Sequence, residues 1–133
     1  MKRVLYAVAL IILTLALLTG CGEKINYKHV SQEEAKAVLA KNPDAIILDV
    51  RTLDEYEKKH IPHAVNLPLE DLRNDKFEQI PDKNQTLLLY CWTGRRAQDA
   101  AQLLVDKGYK NVYEMGGIID WTGPVEGTEV ENN

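Results

Sequence analysis

Residues 86–108 read TLLLYCWTGRRAQDAAQLLVDKG, and they contain two different hydrophobic patterns. The segment 86–90 is a short, almost continuous apolar run, which is typical of a buried strand in a parallel sheet. From Ala97 onward the apolar residues recur at helical spacing, and Gly108 stands where the C-cap glycine of a helix is expected. The stretch therefore predicts a strand that leads through Cys91 into a helix.

The rest of the chain repeats this alternation of strands and helices. Ser31 with Glu34, and Thr52 with Glu55, form two capping boxes, and each predicts the start of a helix. Further strands are predicted at 27–30, 45–50, 64–67 and 112–115, short helices at 69–72 and 118–121, and a turn at 116–117. This order implies an α/β fold with a parallel sheet and helices on both faces, in which ligands bind beyond the carboxyl ends of the strands.

The composition excludes several classes of protein. With 133 residues, 45% of them apolar, the chain is long enough for one domain and too apolar for a disordered protein. The net charge of −4 argues against nucleic acid as a partner, because a duplex-binding surface needs an excess of Lys and Arg. Two cysteines form neither a disulfide framework nor, without clustered histidines, a structural zinc site, so we predict no metal and no cofactor.

The first twenty residues have the pattern of an export signal. Lys2 and Arg3 precede an apolar run, 4–18, that is shorter than a comfortable membrane span. Residues 18–21, Leu-Thr-Gly-Cys, resemble the bacterial lipobox, which implies cleavage before Cys21 and a diacylglycerol on its thiol. The alternatives are an uncleaved transmembrane helix and an ordinary secretory signal. We favour a lipoprotein that is anchored on the extracytoplasmic side of a bacterial membrane.

These observations divide the chain into four parts. They are a lipoprotein signal peptide at 1–20, the lipidated Cys21 with a polar tether at 21–28, one α/β domain at 29–122 and a flexible acidic tail at 123–133. Modification of Cys21 leaves Cys91 as the only thiol in the mature protein, so Cys91 has no partner for an internal disulfide. An odd cysteine in an exported protein is either buried and inert or a reactive site.

The residues after Cys91 favour the reactive interpretation. A thiol between a strand and a helix N-terminus faces unpaired backbone N–H groups and the positive end of the helix dipole. Arg95 and Arg96 add positive charge, and Gly94 allows the backbone to curl so that several N–H groups converge on the sulfur. All of these features favour the nucleophilic thiolate. An inert core cysteine is an alternative, but two arginines are unexpected beside one.

Three stretches resemble the signatures of single-domain rhodaneses, which are thiosulfate sulfurtransferases. They are Cys91-x-x-Gly94-x-Arg96, the upstream stretch 49–68 that begins Asp49-Val50-Arg51, and Gly116-Gly117-x-x-x-Trp121. The resemblance covers about residues 27–122 and implies a five-stranded parallel sheet and a persulfide intermediate on the catalytic Cys91. It also implies that Asp49 and Arg51 mainly hold the loops together. Lys59 and His63 depart from the family, which commonly has glycine at both positions.

The site that we predict from these patterns has Cys91 as nucleophile and the rest of its loop as the substrate-binding residues: Trp92, Thr93, Gly94, Arg95 and Arg96. Arg96, with Arg95 as second candidate, is expected to attract the anionic end of a small sulfur-containing donor. Phosphatase and arsenate reductase relatives resemble Cys-x5-Arg, whereas here four residues separate Cys91 from Arg96, which argues against an oxyanion phosphatase. A further alternative is a persulfide carrier with little turnover, which passes its sulfur to a thiol acceptor protein docked near Trp92.

Overall fold

A computed structural model describes residues 26–130, so the predicted signal peptide and Cys21 lie outside the described residues. The strands are β1 Lys28–His29, β2 Ile46–Asp49, β3 Val65–Asn66, β4 Thr86–Cys91 and β5 Asn111–Gly117. The helices are α1 Gln32–Lys41, α2 Leu53–Lys58, α3 Leu69–Arg73 and α4 Arg95–Asp106, followed by a 3-10 helix at Ile118–Asp120. Within 26–130, no helix combines the length and the apolar character needed to cross a membrane.

All five strands belong to one parallel sheet in the order β1-β5-β4-β2-β3, which confirms the predicted fold class. Strand β4 lies at the centre of the sheet and is buried on both faces. Leu87 and Leu89 pack on one side with Leu104 of α4 and with α3. Leu88 packs on the other side with Ala35 of α1. Helices therefore cover both faces, and the central strand carries Cys91 to the carboxyl edge of the sheet.

The helix starts follow the local signals in the sequence. Ser31 and Thr52 are the N-caps of α1 and α2, and each accepts a hydrogen bond from the backbone N–H of the glutamate three residues later. That glutamate side chain accepts in return from the N-cap backbone, so both predicted capping boxes are confirmed. Helix α4 begins differently, because its N-cap is Gly94, which has no side chain to cap the helix.

The prediction of a turn at 116–117 was wrong, because β5 continues through Gly117. The pairing of β4 with β5 shifts in register between Leu89, which pairs with Glu114, and Cys91, which pairs with Gly117. Strand β5 thus has one extra residue opposite the end of β4, which is a β-bulge, and Gly116 has a positive φ of 83° within it. The bulge lies directly beside the cysteine.

The segment after residue 122 also differs from the flexible tail that we predicted. Glu126 and His60 exchange two backbone hydrogen bonds of 2.8 and 2.9 Å, and the backbone N–H of Thr128 donates to the Glu57 carbonyl. Glu129 donates in the same way to Lys58. The last carbonyls of a helix have no partner within it, and the tail supplies partners to the end of α2. We call residues 124–130 the strap.

Candidate active site

Cys91 ends β4 at the floor of a cavity of about 460 Å³. The residue is only 1% exposed, so a reagent reaches its sulfur through the cavity and not from the open surface. Val50, Pro68 and Leu69 give the cavity an apolar wall, and charged side chains from α3 and α4 complete its lining. A buried thiol at the base of a pocket fits a nucleophile for a small molecule better than an inert core residue.

The loop after Cys91 turns back over the sulfur. The backbone N–H of Gly94 donates a hydrogen bond to Cys91 Sγ at 3.0 Å. Gly94 has a φ of 110°, in the left-handed region that side chains rarely adopt, and a Cβ on it would also crowd Gly116 Cα at 3.3 Å. An amide hydrogen bond to sulfur stabilises a negative charge on that atom, so the loop favours Cys91 as a nucleophile.

Arg96 is bound by a residue that we did not assign to the site. Its two terminal nitrogens donate to the two oxygens of Glu55, at 2.8 and 2.9 Å. The hydrogen bond from Arg96 is the largest of the effects that lower the pKa of Glu55 from an ordinary 4.5 to about 2. Glu55 in turn raises the pKa of Arg96, and the nearby Cys91 acts in the same direction. Glu55 therefore orients the Arg96 guanidinium where it lines the Cys91 cavity, and its role in attracting a donor anion stays a prediction.

Arg95 and Thr93 line the Cys91 cavity, together with Arg96. Among residues 26–130, no ion pair involves Arg95, so its charge is available to a ligand. Trp92 differs from the prediction, because its ring lines a separate cavity of about 350 Å³ beside Lys59. Trp92 is 41% exposed, and the Lys59 ammonium lies 5.7 Å from the centre of the ring. The structure thus brings five of the six loop residues to one site and turns Trp92 away.

Asp49 and Arg51 lie behind the loop as a buried ion pair, 0% and 2% exposed. Arg51 Nη2 donates to Asp49 Oδ2 at 2.6 Å and also to the Lys59 carbonyl at 2.6 Å, which ties the end of β2 to the end of α2. Tyr90 donates to the same carboxylate at 2.7 Å, and burial together with the charge of Asp49 raises the pKa of Tyr90. These residues hold the backbone around the cavity, and neither Asp49 nor Arg51 lines it.

A second buried carboxylate, Glu114, escaped the sequence analysis. It is 0% exposed, accepts from the backbone N–H of Gly116 at 2.5 Å and contacts His29 Nδ1 at 2.6 Å. Glu114 therefore holds the bulge through Gly116, and its carboxylate leaves little room for a side chain at Gly94, 3.4 Å from where a Cβ would lie. The signal was a single glutamate inside the apolar strand 112–115. Within 26–130, no group of His, Cys, Asp and Glu side chains is arranged to hold a metal ion.

The five-stranded parallel sheet, with helices on both faces and a cysteine between its central strand and the following helix, is the arrangement of rhodanese-like domains. The model of the Rhodanese-like domain family matches residues 31–123. The chain belongs to the rhodanese family.

Similar proteins agree with this assignment. The thiosulfate sulfurtransferase GlpE of Coxiella burnetii is 40% identical over 96 residues, which cover 71% of this chain and 87% of GlpE. The putative sulfur carrier protein YrkF of Bacillus subtilis is 36% identical over 99 residues, which cover 74% of this chain and 52% of YrkF. A solved rhodanese from E. coli superimposes with a TM-score of 0.58 at 32% identity, and covers 63% of this chain and 99% of that one.

Proposed function

We propose that the protein transfers a sulfane sulfur from thiosulfate, or from a related donor, to a thiophilic acceptor through a persulfide on Cys91. The Cys91 thiolate attacks the outer sulfur of the donor and forms a new S–S bond. The bond between the two donor sulfurs breaks, and sulfite leaves with the electron pair. An acceptor nucleophile then takes the outer sulfur of the persulfide, and Cys91 leaves as a thiolate, ready for another turnover.

The observation that carries this proposal is the Gly94 N–H hydrogen bond to Cys91 Sγ at the floor of the cavity. It stabilises the Cys91 thiolate, both when it attacks the donor and when it leaves as the acceptor takes the outer sulfur. Arg95, our second candidate, attracts the donor in this proposal, because among residues 26–130 it lines the cavity without an ion-pair partner, whereas Arg96 is paired with Glu55. Arg95 attracts the sulfonate end of the donor and leaves the outer sulfur facing Cys91.

A cyanide-acceptor assay tests the proposed turnover. The protein with thiosulfate and cyanide should form thiocyanate, and Cys91→Ser should abolish its formation while the circular dichroism spectrum stays unchanged. Arg95→Gln should raise the KM for thiosulfate more than it lowers kcat, because Arg95 binds the donor and does not touch the sulfur that is transferred. Thiocyanate formation that persists in Cys91→Ser would contradict the proposal.

A persulfide carrier is the second candidate, and the resemblance to the putative carrier YrkF favours it. The exposed ring of Trp92 beside the Cys91 loop offers a surface for an acceptor protein. In that case Cys91 would take up sulfur from thiosulfate, but cyanide and small thiols would discharge it slowly. Single-turnover discharge of the loaded protein distinguishes a carrier from an enzyme.

We also propose that the mature protein is a lipoprotein that is anchored through Cys21 on the extracytoplasmic side of the membrane. The lipobox-like residues 18–21 support this location. In a bacterial host, the full chain should incorporate labelled palmitate and sediment with membranes, and Cys21→Ser should lose both properties. Incorporation of label by Cys21→Ser would place any lipid elsewhere and contradict the assignment.

A further inference from the structure

Glu114 is a fully buried carboxylate to which the proposed sulfur transfer assigns no role. A single residue, Gly94, lies between this carboxylate and the Cys91 sulfur. The Gly94 N–H donates to Cys91 Sγ at 3.0 Å, and a Cβ on Gly94 would lie 3.4 Å from Glu114 Oε1. With ordinary covalent geometry at Gly94, the carboxylate oxygen and the sulfur are no more than about 9 Å apart. At that distance, a buried negative charge opposes ionisation of the thiol.

Within residues 26–130, the only ion-pair partner of Glu114 is His29, at the surface of the domain. His29 Nδ1 lies 2.6 Å from Glu114 Oε2, and the side chain of His29 is 69% exposed. Because an ionised carboxylate only accepts hydrogen bonds, Nδ1 carries a hydrogen, and Nε2 is the atom that takes up or loses the proton. Protonation of this exposed ring therefore neutralises a charge that is buried beside the nucleophile.

A second carboxylate near His29 also favours the protonated ring. Hydrogen bonds from Ser31 lower the pKa of Glu34 on α1, and the charge of His29 adds to this effect, so Glu34 lies within electrostatic reach of the ring. Two carboxylates on different elements thus stabilise the imidazolium. The charged groups that face Cys91 itself are the cavity-lining Glu70, Arg73, Arg95, Arg96 and Asp99, with Glu55 on α2 behind Arg96.

From this arrangement, and resting on the proposed function, we infer that Glu114 is a positioning residue and that His29 controls its effect on the Cys91 nucleophile. The carboxylate holds the bulge through the Gly116 N–H, and the protonated His29 ring cancels its charge. Cys91 then ionises readily and attacks the donor. When His29 loses its proton, the uncompensated carboxylate disfavours the thiolate and slows sulfur uptake. The reactivity of the site is therefore linked to the protonation of a surface histidine outside the cavity.

The pH profile of Cys91 alkylation tests this inference in the full chain. Iodoacetamide reacts with the thiolate, and the modified Cys91 fragment is quantified by mass at a series of pH values. His29→Gln keeps a hydrogen-bond donor for Glu114 but removes the cation. Glu114→Gln keeps an acceptor for the Gly116 N–H but removes the anion, and the double variant removes both charges. His63→Gln, at an exposed histidine before β3, is the charge-matched control.

The variants should move the pH at which alkylation is half-maximal in a defined order. His29→Gln should raise this midpoint by about 0.5 to 1 pH unit, because an uncompensated charge then lies beside the thiol. The double variant should return the midpoint to that of the wild-type protein, and Glu114→Gln alone should not raise it. His63→Gln should leave the midpoint unchanged.

A midpoint that is unchanged in His29→Gln, or that stays raised in the double variant, would overturn the inference. Slower alkylation at every pH with an unmoved midpoint would also overturn it, since Glu114 and His29 would then have only a structural role. Loading of the same proteins with thiosulfate separates this result from failure of the proposed function. If Cys91 takes up no sulfur although the midpoints shift as expected, the proposed sulfur transfer fails and the effect of His29 on the thiol stands.

Discussion

At the scale of single residues, Glu55 joins two functions in one carboxylate. It accepts from the backbone and hydroxyl of Thr52 to start α2, and from Arg96 to fix the guanidinium next to the Cys91 loop. The glutamate of the α2 capping box therefore also neutralises the charge of Arg96 beside Cys91. Arg96 stays beside the sulfur as half of a neutral pair, and Arg95 has no ion-pair partner among the residues that the structure describes.

The Glu55–Arg96 pair should make stability depend on pH in the acid range. The pKa of Glu55 is lowered from 4.5 to about 2 in the folded protein, so its stabilisation is complete above about pH 5 and disappears as the pH falls toward 2. Glu55→Gln should cost about 1 to 2 kcal/mol at pH 7, a value reduced for solvent screening because a third of the pair is exposed. Urea denaturation should show this difference shrinking below pH 4, whereas a constant difference would contradict the ion pair.

His63 occupies a backbone position that suits glycine. Its φ is 65°, in the left-handed region, and its side chain is exposed. A glycine, which the resemblance to the family predicts at this position, would adopt this φ without strain. Lys59 is the other position at which the chain departs from the family pattern. Its φ is −161°, which any residue adopts. Only one of the two departures from the family is therefore strained.

Replacing His63 by glycine should relieve this strain. We expect His63→Gly to raise the free energy of unfolding by about 0.5 to 1 kcal/mol. His63→Ala is the matched control, because alanine removes the ring but keeps the Cβ that disfavours positive φ. An equal gain from both substitutions, measured by urea denaturation, would assign the effect to the imidazole and not to the backbone.

At the scale of secondary-structure elements, the site depends on ties between the ends of β2, α2 and β4. Arg51 bridges Asp49 and the Lys59 carbonyl, and Tyr90 binds the same aspartate and the backbone N–H of Ile61. The side chains of this network are buried, and their polar groups satisfy one another. The network connects the elements that surround Cys91, and its residues do not line the Cys91 cavity.

Removing one member of the Asp49–Arg51 ion pair should lower the free energy of unfolding. Arg51→Met leaves the Asp49 carboxylate buried without its cation, and we expect a loss of about 3 kcal/mol in the free energy of unfolding. Asp49→Asn/Arg51→Met removes both charges together and should recover part of that loss. Urea midpoints of the two variants provide the measurement, and a double variant that is less stable than Arg51→Met would contradict the pairing.

The sequence predicted those elements whose signals are local. The capping boxes at Ser31 and Thr52, the apolar strand before Cys91 and the helical spacing after Ala97 all correspond to elements of the structure. The Glu55–Arg96 pair joins residues 41 apart in the chain, and the β5 bulge depends on its pairing with β4. Neither is encoded in local spacing, so the sequence analysis did not find the Glu55–Arg96 pair and wrongly predicted a turn at 116–117.

At the scale of the whole molecule, the C-terminal strap packs against the end of α2, which lies far from it in the chain. An acidic composition alone predicted a solvated segment, yet the strap pairs with His60 and with the carbonyls of Glu57 and Lys58. Gly127 permits this close packing, because a Cβ there would overlap the Lys58 carbonyl. The strap therefore fastens the helix that carries Glu55.

Loss of the strap should destabilise the domain. Truncation after Thr122 removes four backbone hydrogen bonds to 57–60, and we expect a loss of about 1 to 3 kcal/mol in the free energy of unfolding. Gly127→Ala keeps the chain length but blocks the packing, so it should reproduce much of that loss. Thermal denaturation compares the two proteins, and an unchanged melting temperature in both would show that the strap does not support α2.

The central claim is that Cys91 carries the transferred sulfur, and the mass of the protein after thiosulfate treatment tests it most directly. The treated protein should gain the mass of one sulfur atom, fragment masses should place that atom on Cys91, and a reducing thiol should remove it. Cys91→Ser under the same conditions should gain nothing. An unmodified Cys91 in folded, thiosulfate-treated protein, or an equal gain in Cys91→Ser, would contradict the account.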